Sequence, residues 1–448
     1  MTQPVGVDPA VEQLPPGLVR DLFATLERAG IRYVLLRGYL PASEITTALD
    51  IDVYIPRADH ARAARVLTRS GWRVRRAQTG RYPHRFYDHV DDPTRLCVML
   101  DVVDALCYGP ARHELRQPEL VLTASERVAG VWVPHPWIAL FTFALHVLLD
   151  KEHLSDANAA RGRALWKVCL ERAAEASIVA DAYGDAAALL TAAFGDWVRE
   201  PAVGGFAALQ RRARALSCLR PRPVLALFDA MVKRWRWRRA RPLRFAIVGM
   251  DGSGKSTLIE SVRSLGSPLP IGTAYLGHNQ YRTRLFREIL ERLDQAKRAA
   301  PNGLAVRLWD KARALAWPLE LYARMRAAEW GRALVFYDRY PFPDFERDDM
   351  PTTLPGHVMH LYERLWTWAL PHPDVLWLCD GDPRLLWSRK QEYSFAVFER
   401  GRQRYHDLLE RFPGEREVVR TDGSLVELVA SLPALIRRPR GFLRLLYE

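Results

Sequence analysis

The first third of the chain mixes helical and strand spacing of hydrophobic residues. Apolar residues three and four apart predict helices, and short apolar runs between turn residues predict strands. The predicted elements are, in chain order, a helix at 18–29, strands at 33–36 and 51–55, a helix at 59–70 and a strand at 96–103. This order predicts an α+β domain over residues 1–134.

The middle of the chain is rich in Ala and Leu, and its apolar residues again recur three and four apart. This spacing predicts a helical domain over residues 135–232, interrupted at Gly184, Pro201 and Gly204. A run of Lys, Arg and Trp residues follows at 233–242. We interpret the run as a packed or solvated basic linker, and its mixture of aromatic and cationic residues also suits an anionic membrane surface.

Composition narrows the class of protein. The 448 residues suffice for two or three domains, and a net charge of +13 favours anionic partners such as phosphates, nucleic acid or acidic lipid. A solvated basic surface explains the same charge equally well.

The apolar run at 137–149 is too short to span a membrane and predicts a buried helix. The five scattered cysteines argue against a disulfide framework, and the absence of a secretory signal layout predicts a cytoplasmic protein.

A glycine-rich segment lies between an apolar run at 245–248 and a helical pattern at 258–265. It has the form G-x-x-x-x-G-K-[ST], and a strand and a helix flank it in the order that this motif requires. The glycines let backbone N–H groups surround a phosphate, Lys255 reaches the outer phosphates, and the Ser256 hydroxyl can bind Mg²⁺. A purely structural glycine turn is the alternative, which the flanking strand and helix disfavour.

A carboxylate and a guanidinium follow a later apolar run at 333–337. Asp338 closes this predicted strand, where it can organise Mg²⁺, and Arg339 comes directly after it. The guanidinium can neutralise charge that develops between a donor and an acceptor phosphate. An Asp–Arg pair that only ends the strand is the alternative.

Together these segments resemble thymidylate kinase. The similarity covers residues 243–437, and it includes the glycine-rich loop, the helix at 321–330, the strand ending at Asp338, the strand and turn at 375–383 and the closing strand at 418–422. The resemblance implies an α/β, doubly wound parallel-sheet P-loop kinase domain over residues 243–448. It implies ATP and Mg²⁺, with Lys255, Asp338 and Arg339 as catalytic residues and Ser256 and Asp338 as metal ligands. The implied ATP-binding residues are Gly249, Asp251, Gly252, Ser253, Gly254, Lys255, Ser256, Thr257, Arg384 and Arg389.

The resemblance also places a lid over the nucleotide. In thymidylate kinases a strand ending in Asp-x-Asp-Pro leads through a helix to an arginine-bearing lid. Asp382 can cap that helix, and Pro383 suits its first position. Arg384, Arg389 and Lys390 are lid candidates by position, and basic residues on a solvated helix are the equal alternative.

The chain departs from thymidylate kinase where that family contacts its acceptor. The sequence at 275–279 lacks the family's Arg-Glu-Pro-Gly stretch, and the sequence at 341–349 lacks its small residues and its Ala-Tyr-Gln segment. Thymidylate is therefore not expected as the acceptor. Arg324 and Arg326 are candidates for holding an acceptor phosphate, with a solvated helix face as the equal alternative.

Two aspartates near the amino terminus form a second candidate site. Asp50 and Asp52 lie two residues apart on a predicted strand, so their side chains point to one face. With Arg37 and Gly38 before them and Asp101 on a later strand, they resemble the nucleotidyltransferase superfamily. The resemblance implies that Asp50, Asp52 and Asp101 bind a divalent metal, and that Arg37 holds a phosphate or pairs with one of the acids. The residue after Gly38 departs from that family.

The combined prediction is a kinase domain preceded by a nucleotidyltransferase-like α+β domain and a helical domain. The expected reaction transfers the ATP γ-phosphoryl group to a small phosphorylated acceptor, a nucleotide or a sugar-phosphate-like molecule. The alternative is a nucleic-acid end-modifying enzyme with nucleotidyltransferase and polynucleotide kinase halves, which no RNA-binding motif supports. A third hypothesis makes one half a binding or regulatory module for the other. A homodimer is left open.

Overall fold

The computed structural model describes residues 16–37, 50–75, 83–90, 96–128, 130–239, 241–265, 267, 269–277, 283–300, 303–342, 369–392 and 394–447. The chain divides into two compact units, with the boundary between Arg236 and Trp237. The predictions about Gly38, about residues 278–279 and about residues 343–349 lie outside the described residues.

A five-stranded sheet in the first unit carries the amino-terminal aspartates. Its strands are β1 (Val34–Leu35), β2 (Asp50–Tyr54), β3 (Arg73–Val74), β4 (His84–His89) and β5 (Val98–Val103). The order across the sheet is β1-β2-β5-β4-β3, in which β2 and β5 run parallel and the other pairs are antiparallel. In the parallel pair Asp52 lies opposite Asp101, so the two acids are neighbours across the sheet.

The remaining strands of the first unit are short. They are β6 (Cys107–Tyr108), β7 (His113–Leu115), β8 (Ser125–Val128), β9 (Val131–Pro134) and β10 (Leu219–Arg220). The strands β10, β7 and β6 form one antiparallel sheet, and β8 and β9 form a hairpin.

Nine helices of the described residues begin in the first unit. They are α1 (Pro16–Arg28), α2 (His60–Arg69), α3 (Leu120–Thr123), α4 (Pro136–Asp150), α5 (Asp156–Glu171), α6 (Ser177–Tyr183), α7 (Asp185–Arg199), α8 (Gly205–Arg214) and α9 (Pro223–Arg239). Single 3₁₀ turns lie at Arg57–Asp59 and Ala173–Glu175. The predicted interruptions at Gly184, Pro201 and Gly204 all fall between helices. Gly184 and Gly204 adopt positive φ angles of 88° and 75°, which lie outside regular helix.

One hydrophobic core extends through the first unit, from α1 to β10. Its centre is α4, in which every residue except His146 and Asp150 is buried. This helix contains the apolar run at 137–149, so the prediction of a buried helix is confirmed. The segments predicted as an α+β domain and a helical domain thus share one core.

The second unit is an α/β structure built on a parallel sheet. Its strands are β11 (Leu243–Val248), β12 (Ile271–Tyr275), β13 (Leu334–Asp338), β14 (Val375–Asp380) and β15 (Glu415–Arg420). The order is β12-β13-β11-β14-β15, and all four pairings are parallel. All six residues of the central strand, β11, are buried, as a strand covered on both faces requires.

The helices of the second unit connect these strands. They are α10 (Lys255–Ser264), α11 (Arg284–Ala299), α12 (Leu304–Glu329), α13 (Pro383–Arg389), α14 (Phe395–Arg411), α15 (Leu425–Arg437) and α16 (Arg440–Tyr447). The capping prediction for α13 is confirmed, since the Asp382 carboxylate accepts a hydrogen bond from the Leu385 N–H at 2.8 Å. The closing strand was predicted at 418–422, and β15 begins three residues earlier.

The basic run predicted as a linker is helical as far as Arg239, where α9 ends. Within the described residues, no helix has both the length and the apolar content that a bilayer crossing needs. All five cysteines are free, and four of them are buried.

Candidate functional site

The loop between β11 and α10 turns through three glycines with positive φ. The φ angles are 144° at Gly249, 86° at Gly252 and 84° at Gly254. A side chain would be strained in each conformation, and space also excludes one at two of the positions. A Cβ atom at Gly249 would lie 2.6 Å from the Cys379 carbonyl oxygen, and one at Gly252 would lie 2.8 Å from the Leu386 carbonyl oxygen. The loop therefore has the compact shape that exposes backbone N–H groups at the start of α10.

Lys255, the first residue of α10, folds back over this loop. Its ammonium group donates hydrogen bonds to the carbonyl oxygens of Gly249 and Met250, both at 2.8 Å. The residue is buried, and burial lowers the pKa of its amine, an effect that the nearby Arg339 guanidinium reinforces. The lysine is thus hydrogen-bonded to two neutral carbonyl oxygens of the loop and forms an ion pair with the Asp251 carboxylate, 3.8 Å away.

Asp338 ends β13, the strand adjacent to β11, and pairs in register with Ile247. The carboxyl ends of these parallel strands meet at one edge of the sheet, which brings Asp338 to the loop. Its Oδ1 is buried and has no hydrogen-bond partner. Burial raises the pKa of this carboxyl group, and the charges of Lys255 and Arg339 offset the effect in part. An unpartnered buried carboxylate oxygen is costly unless a ligand satisfies it.

Arg339 adopts a positive φ of 61°, which is unusual for a residue with a side chain. Its N–H donates to the Ile247 carbonyl at 3.2 Å, and its guanidinium donates to Asp251 Oδ1 at 2.5 Å. The strained backbone therefore directs the arginine across the loop, where its charge is shared with an acid of the loop itself.

These side chains surround a cavity of about 520 Å³ at the carboxyl edge of the sheet. The predicted residues that line it are Asp251, Gly252, Gly254, Lys255, Ser256, Thr257, Asp338, Arg339, Arg389 and Lys390. Gly249 and Ser253 shape the loop from outside this lining. Arg384 is exposed and does not line the cavity, so the structure separates the two lid arginines.

The cavity residues fit a polyphosphate with a divalent cation. The glycine loop and the amino end of α10 supply N–H donors, and Lys255 supplies a positive charge. The free Oδ1 of Asp338 and the Ser256 hydroxyl face the same cavity and are oxygen ligands of the kind that Mg²⁺ prefers.

Two groups near the cavity were not predicted. The Thr421 hydroxyl donates to the Ser253 carbonyl at 2.7 Å, and Arg389 donates to the Thr421 carbonyl at 3.0 Å. On the next strand, Asp380 accepts two hydrogen bonds from Arg402 at 2.8 Å and contacts His406 Nε2 at 2.7 Å. These contacts hold α14 and the end of β15 to the sheet edge, and no short sequence motif predicts them.

The arginines predicted as acceptor ligands are engaged elsewhere. Arg324 is buried and donates to Glu320 at 2.8 Å and to the Gly277 carbonyl at 2.9 Å. Arg326 is half exposed and donates to Glu329 at 2.6 Å. Neither lines the cavity beside the glycine loop. Arg324 therefore fastens the segment after β12 to α12.

The amino-terminal acids lie in a separate small pocket of the first unit. Asp52 and Asp101 line it, together with Arg37, His84 and His146. Arg37 Nε lies 3.3 Å from Asp52, and His84 Nδ1 lies 2.8 Å from Asp101 Oδ2. Arg37 thus pairs with an acid, one of the two roles predicted for it.

A metal role for these acids stays a prediction. Burial raises the pKa of Asp101, although the His84 contact lowers it, and Asp101 Oδ1 has no hydrogen-bond partner. Asp50 lies on β2 opposite Met99, but its side chain is outside the described set. The side chains that the structure describes contain no group of three His, Cys, Asp or Glu residues arranged to hold a metal.

Similarity to known proteins is slight. No protein-family model matches the chain, and no curated protein matches it either. Among solved structures, a thymidylate kinase from Ehrlichia chaffeensis aligns with 44% of this chain and 98% of its own length, at 15% identity and a TM-score of 0.28.

Proposed function

We propose that the second unit is a P-loop phosphotransferase that transfers the γ-phosphoryl group of ATP to a small phosphorylated acceptor. The observation that carries the proposal is the convergence of the glycine loop, Lys255 and Asp338 on one cavity at the edge of a parallel sheet. Each of these groups addresses the charge of a polyphosphate or of its metal ion.

The glycine loop binds the phosphates through its N–H groups, aided by the positive end of α10. Lys255 already lies over the loop, so a phosphate oxygen replaces its two carbonyl acceptors without a large movement of the side chain. An anion beside the buried amine also restores its pKa, since an opposite charge favours the protonated form.

Asp338 and Ser256 are the residues that would hold Mg²⁺. The ion, when bound, screens phosphate charge and polarises the transferred group. Arg339 is close enough to exchange its Asp251 partner for phosphate oxygens, because both line the same cavity. Positioning and charge neutralisation then supply most of the rate acceleration.

The acceptor is proposed to be a nucleotide or a sugar-phosphate-like molecule other than thymidylate. Arg324 and Arg326, the arginines before β13, are paired with Glu320 and Glu329. The open side of the cavity offers Arg389 and Lys390 as further cations.

The test uses the full-length protein with labelled ATP and a panel of nucleoside monophosphates, sugar phosphates and oligonucleotides. Lys255→Ala should weaken ATP binding by about ten- to a hundredfold, the value of a charge-assisted hydrogen bond. Lys297→Ala, an exposed lysine of α11, is the matched control and should bind ATP like the parent. A Lys255→Ala protein that binds and turns over ATP normally would refute the proposal.

The same panel addresses the nucleic-acid alternative and the first unit. Phosphorylation of oligonucleotide ends in preference to small acceptors, with binding that weakens steeply as salt rises, would favour a polynucleotide kinase. Joint replacement of Asp50 and Asp52 by Asn should abolish any nucleotidyl transfer. Unchanged activity in every assay would leave the first unit a binding or regulatory module.

A further inference from the structure

The helix α9 carries an exposed apolar surface. Four of its side chains have most of their area in solvent: Val224 is 79% exposed, Leu227 64%, Phe228 62% and Met231 62%. At 100° per residue these positions fall within an arc of about 100° on one side of the helix. We call this side the apolar arc of α9.

The opposite side of α9 makes the polar contacts. Asp229 accepts a hydrogen bond from Arg112 at 2.9 Å, and Arg222, just before the helix, donates to Glu114 at 2.6 Å. A surface helix normally buries its apolar stripe and exposes its polar one. In α9 the arrangement is reversed, since ion pairs hold Asp229 and the preceding Arg222 to the first unit while the apolar arc is exposed. A free-standing surface of this kind signals a binding site.

The sequence that follows the apolar arc is strongly basic. Within the last seven residues of α9 stand Lys233, Arg234, Arg236, Arg238 and Arg239, with Trp235 and Trp237 between them. Cationic and aromatic residues next to an exposed apolar helix face are the combination found in helices that lie in the interface of an anionic bilayer.

We propose that α9 binds the surface of an anionic lipid membrane, with the apolar arc entering the headgroup region and the basic run contacting lipid phosphates. The positive charge of the basic run favours an anionic partner. The apolar arc favours a lipid surface over a nucleic acid. A polyanion would neutralise the basic run but would leave Val224, Leu227 and Met231 in water, since nucleic acid engages proteins through phosphates and stacked bases. The helix lies on the membrane and does not cross it.

The test is co-sedimentation of the full-length protein with phosphatidylcholine vesicles that contain or lack phosphatidylserine. We expect binding to the anionic vesicles, weakened by salt. The double variant Leu227→Ser/Phe228→Ser should lower the partition coefficient by about a hundredfold. Each change removes most of one apolar side chain that the lipid would bury. The change Arg234→Gln/Arg238→Gln should lower it by about twenty-five-fold, from about fivefold per cation. Leu189→Ser, at a 71% exposed leucine of α7, is the control and should bind like the parent.

Three outcomes would overturn the proposal. The first is absence of vesicle binding by the parent protein. The second is equal binding by the Leu227→Ser/Phe228→Ser and Leu189→Ser variants. The third is self-association through the arc, seen as a dimer that the double variant abolishes in the absence of lipid while vesicles bind neither protein. Circular dichroism of each variant establishes that a loss of binding does not reflect unfolding.

Discussion

At the scale of single residues, Lys255 and Asp338 have pKa values that move in opposite directions for one reason. Burial disfavours charge on both, so the pKa of the lysine falls below its ordinary value and that of the aspartate rises above it. Each group must nevertheless be charged to bind its proposed ligand, phosphate for the lysine and Mg²⁺ for the aspartate.

We therefore expect the affinity for ATP to fall at both high and low pH. As pH rises through the lowered pKa of Lys255, the amine loses its proton and affinity falls. As pH falls through the raised pKa of Asp338, the carboxylate is protonated and the Mg²⁺-dependent part of the affinity is lost. Titration of ATP binding against pH, with and without Mg²⁺, measures both limbs.

Two variants assign the limbs to their residues. Lys255→Arg should move the alkaline limb to higher pH, because a guanidinium keeps its proton. Asp338→Asn should remove the acid limb of the Mg²⁺-dependent binding, while Asp294→Asn, at an exposed aspartate of α11, should leave it in place. Limbs that do not move in these variants would assign the titrating groups elsewhere.

The sequence was sufficient to predict Lys255, Ser256 and Asp338 because local order determines their position. A strand, a glycine turn and a helix place the first two, and the end of a parallel strand places the third. Thr421 reaches the loop from 168 residues away in sequence and carries no motif of its own. Helical spacing alone also left the orientation of Arg324 open, and only packing against Glu320 settles it.

At the scale of elements, Gly195 permits a close approach of α5 and α7. A Cβ atom on Gly195 of α7 would lie 2.2 Å from the ring of Trp166 on α5. Gly195→Ala should therefore destabilise the protein by about 1–3 kcal/mol through overpacking, even though alanine is the better helix former. Chemical denaturation measures the change.

Gly17→Ala on α1 is the matched control for this prediction. A Cβ atom at Gly17 meets no other atom within 4 Å, so the change should be neutral or stabilise by up to about 1 kcal/mol. Equal effects at the two glycines would show that the helices separate without cost.

Elements with a clear hydrophobic period were predictable, and those without one were not. The strand β4 has the sequence HRFYDH, and its last four residues are buried although two of them, Asp88 and His89, are polar and none is aliphatic. The position of β4 in the sheet depends on its pairing with β5, which extends over six residues. The carboxyl end of α9 is interpreted as a linker from sequence because its many charged residues interrupt the helical spacing of apolar residues.

At the scale of the whole molecule, each unit has a hydrophobic core of its own. We therefore expect two thermal unfolding transitions. ATP with Mg²⁺ should raise the midpoint temperature of one of them. Saturation at a hundred times the dissociation constant would stabilise the binding unit by about 2.7 kcal/mol. Differential scanning calorimetry distinguishes the transitions, and a shift of both by ATP would contradict a site confined to the second unit.

A variant in the first unit identifies the other transition. Arg75 and Asp88 form a buried ion pair, with Nε donating to Oδ2 at 2.8 Å and exposures of 2% and 0%. Asp88→Ala leaves the guanidinium charge buried alone and should cost about 3–5 kcal/mol. The transition that responds to ATP should keep its midpoint, and Asp181→Ala, at an exposed aspartate of α6, should change neither transition.

The bond from Thr421 to the Ser253 carbonyl has a consequence for ligand affinity. A loop with three glycines would sample many conformations if it were tethered only at its two ends, and capture of a ligand would then cost the entropy of ordering it. Thr421, the residue after β15, holds the middle of the loop from outside, so part of the loop is already ordered when the chain folds. Preorganisation of this kind lets a nearly all-backbone receptor bind tightly with few side chains.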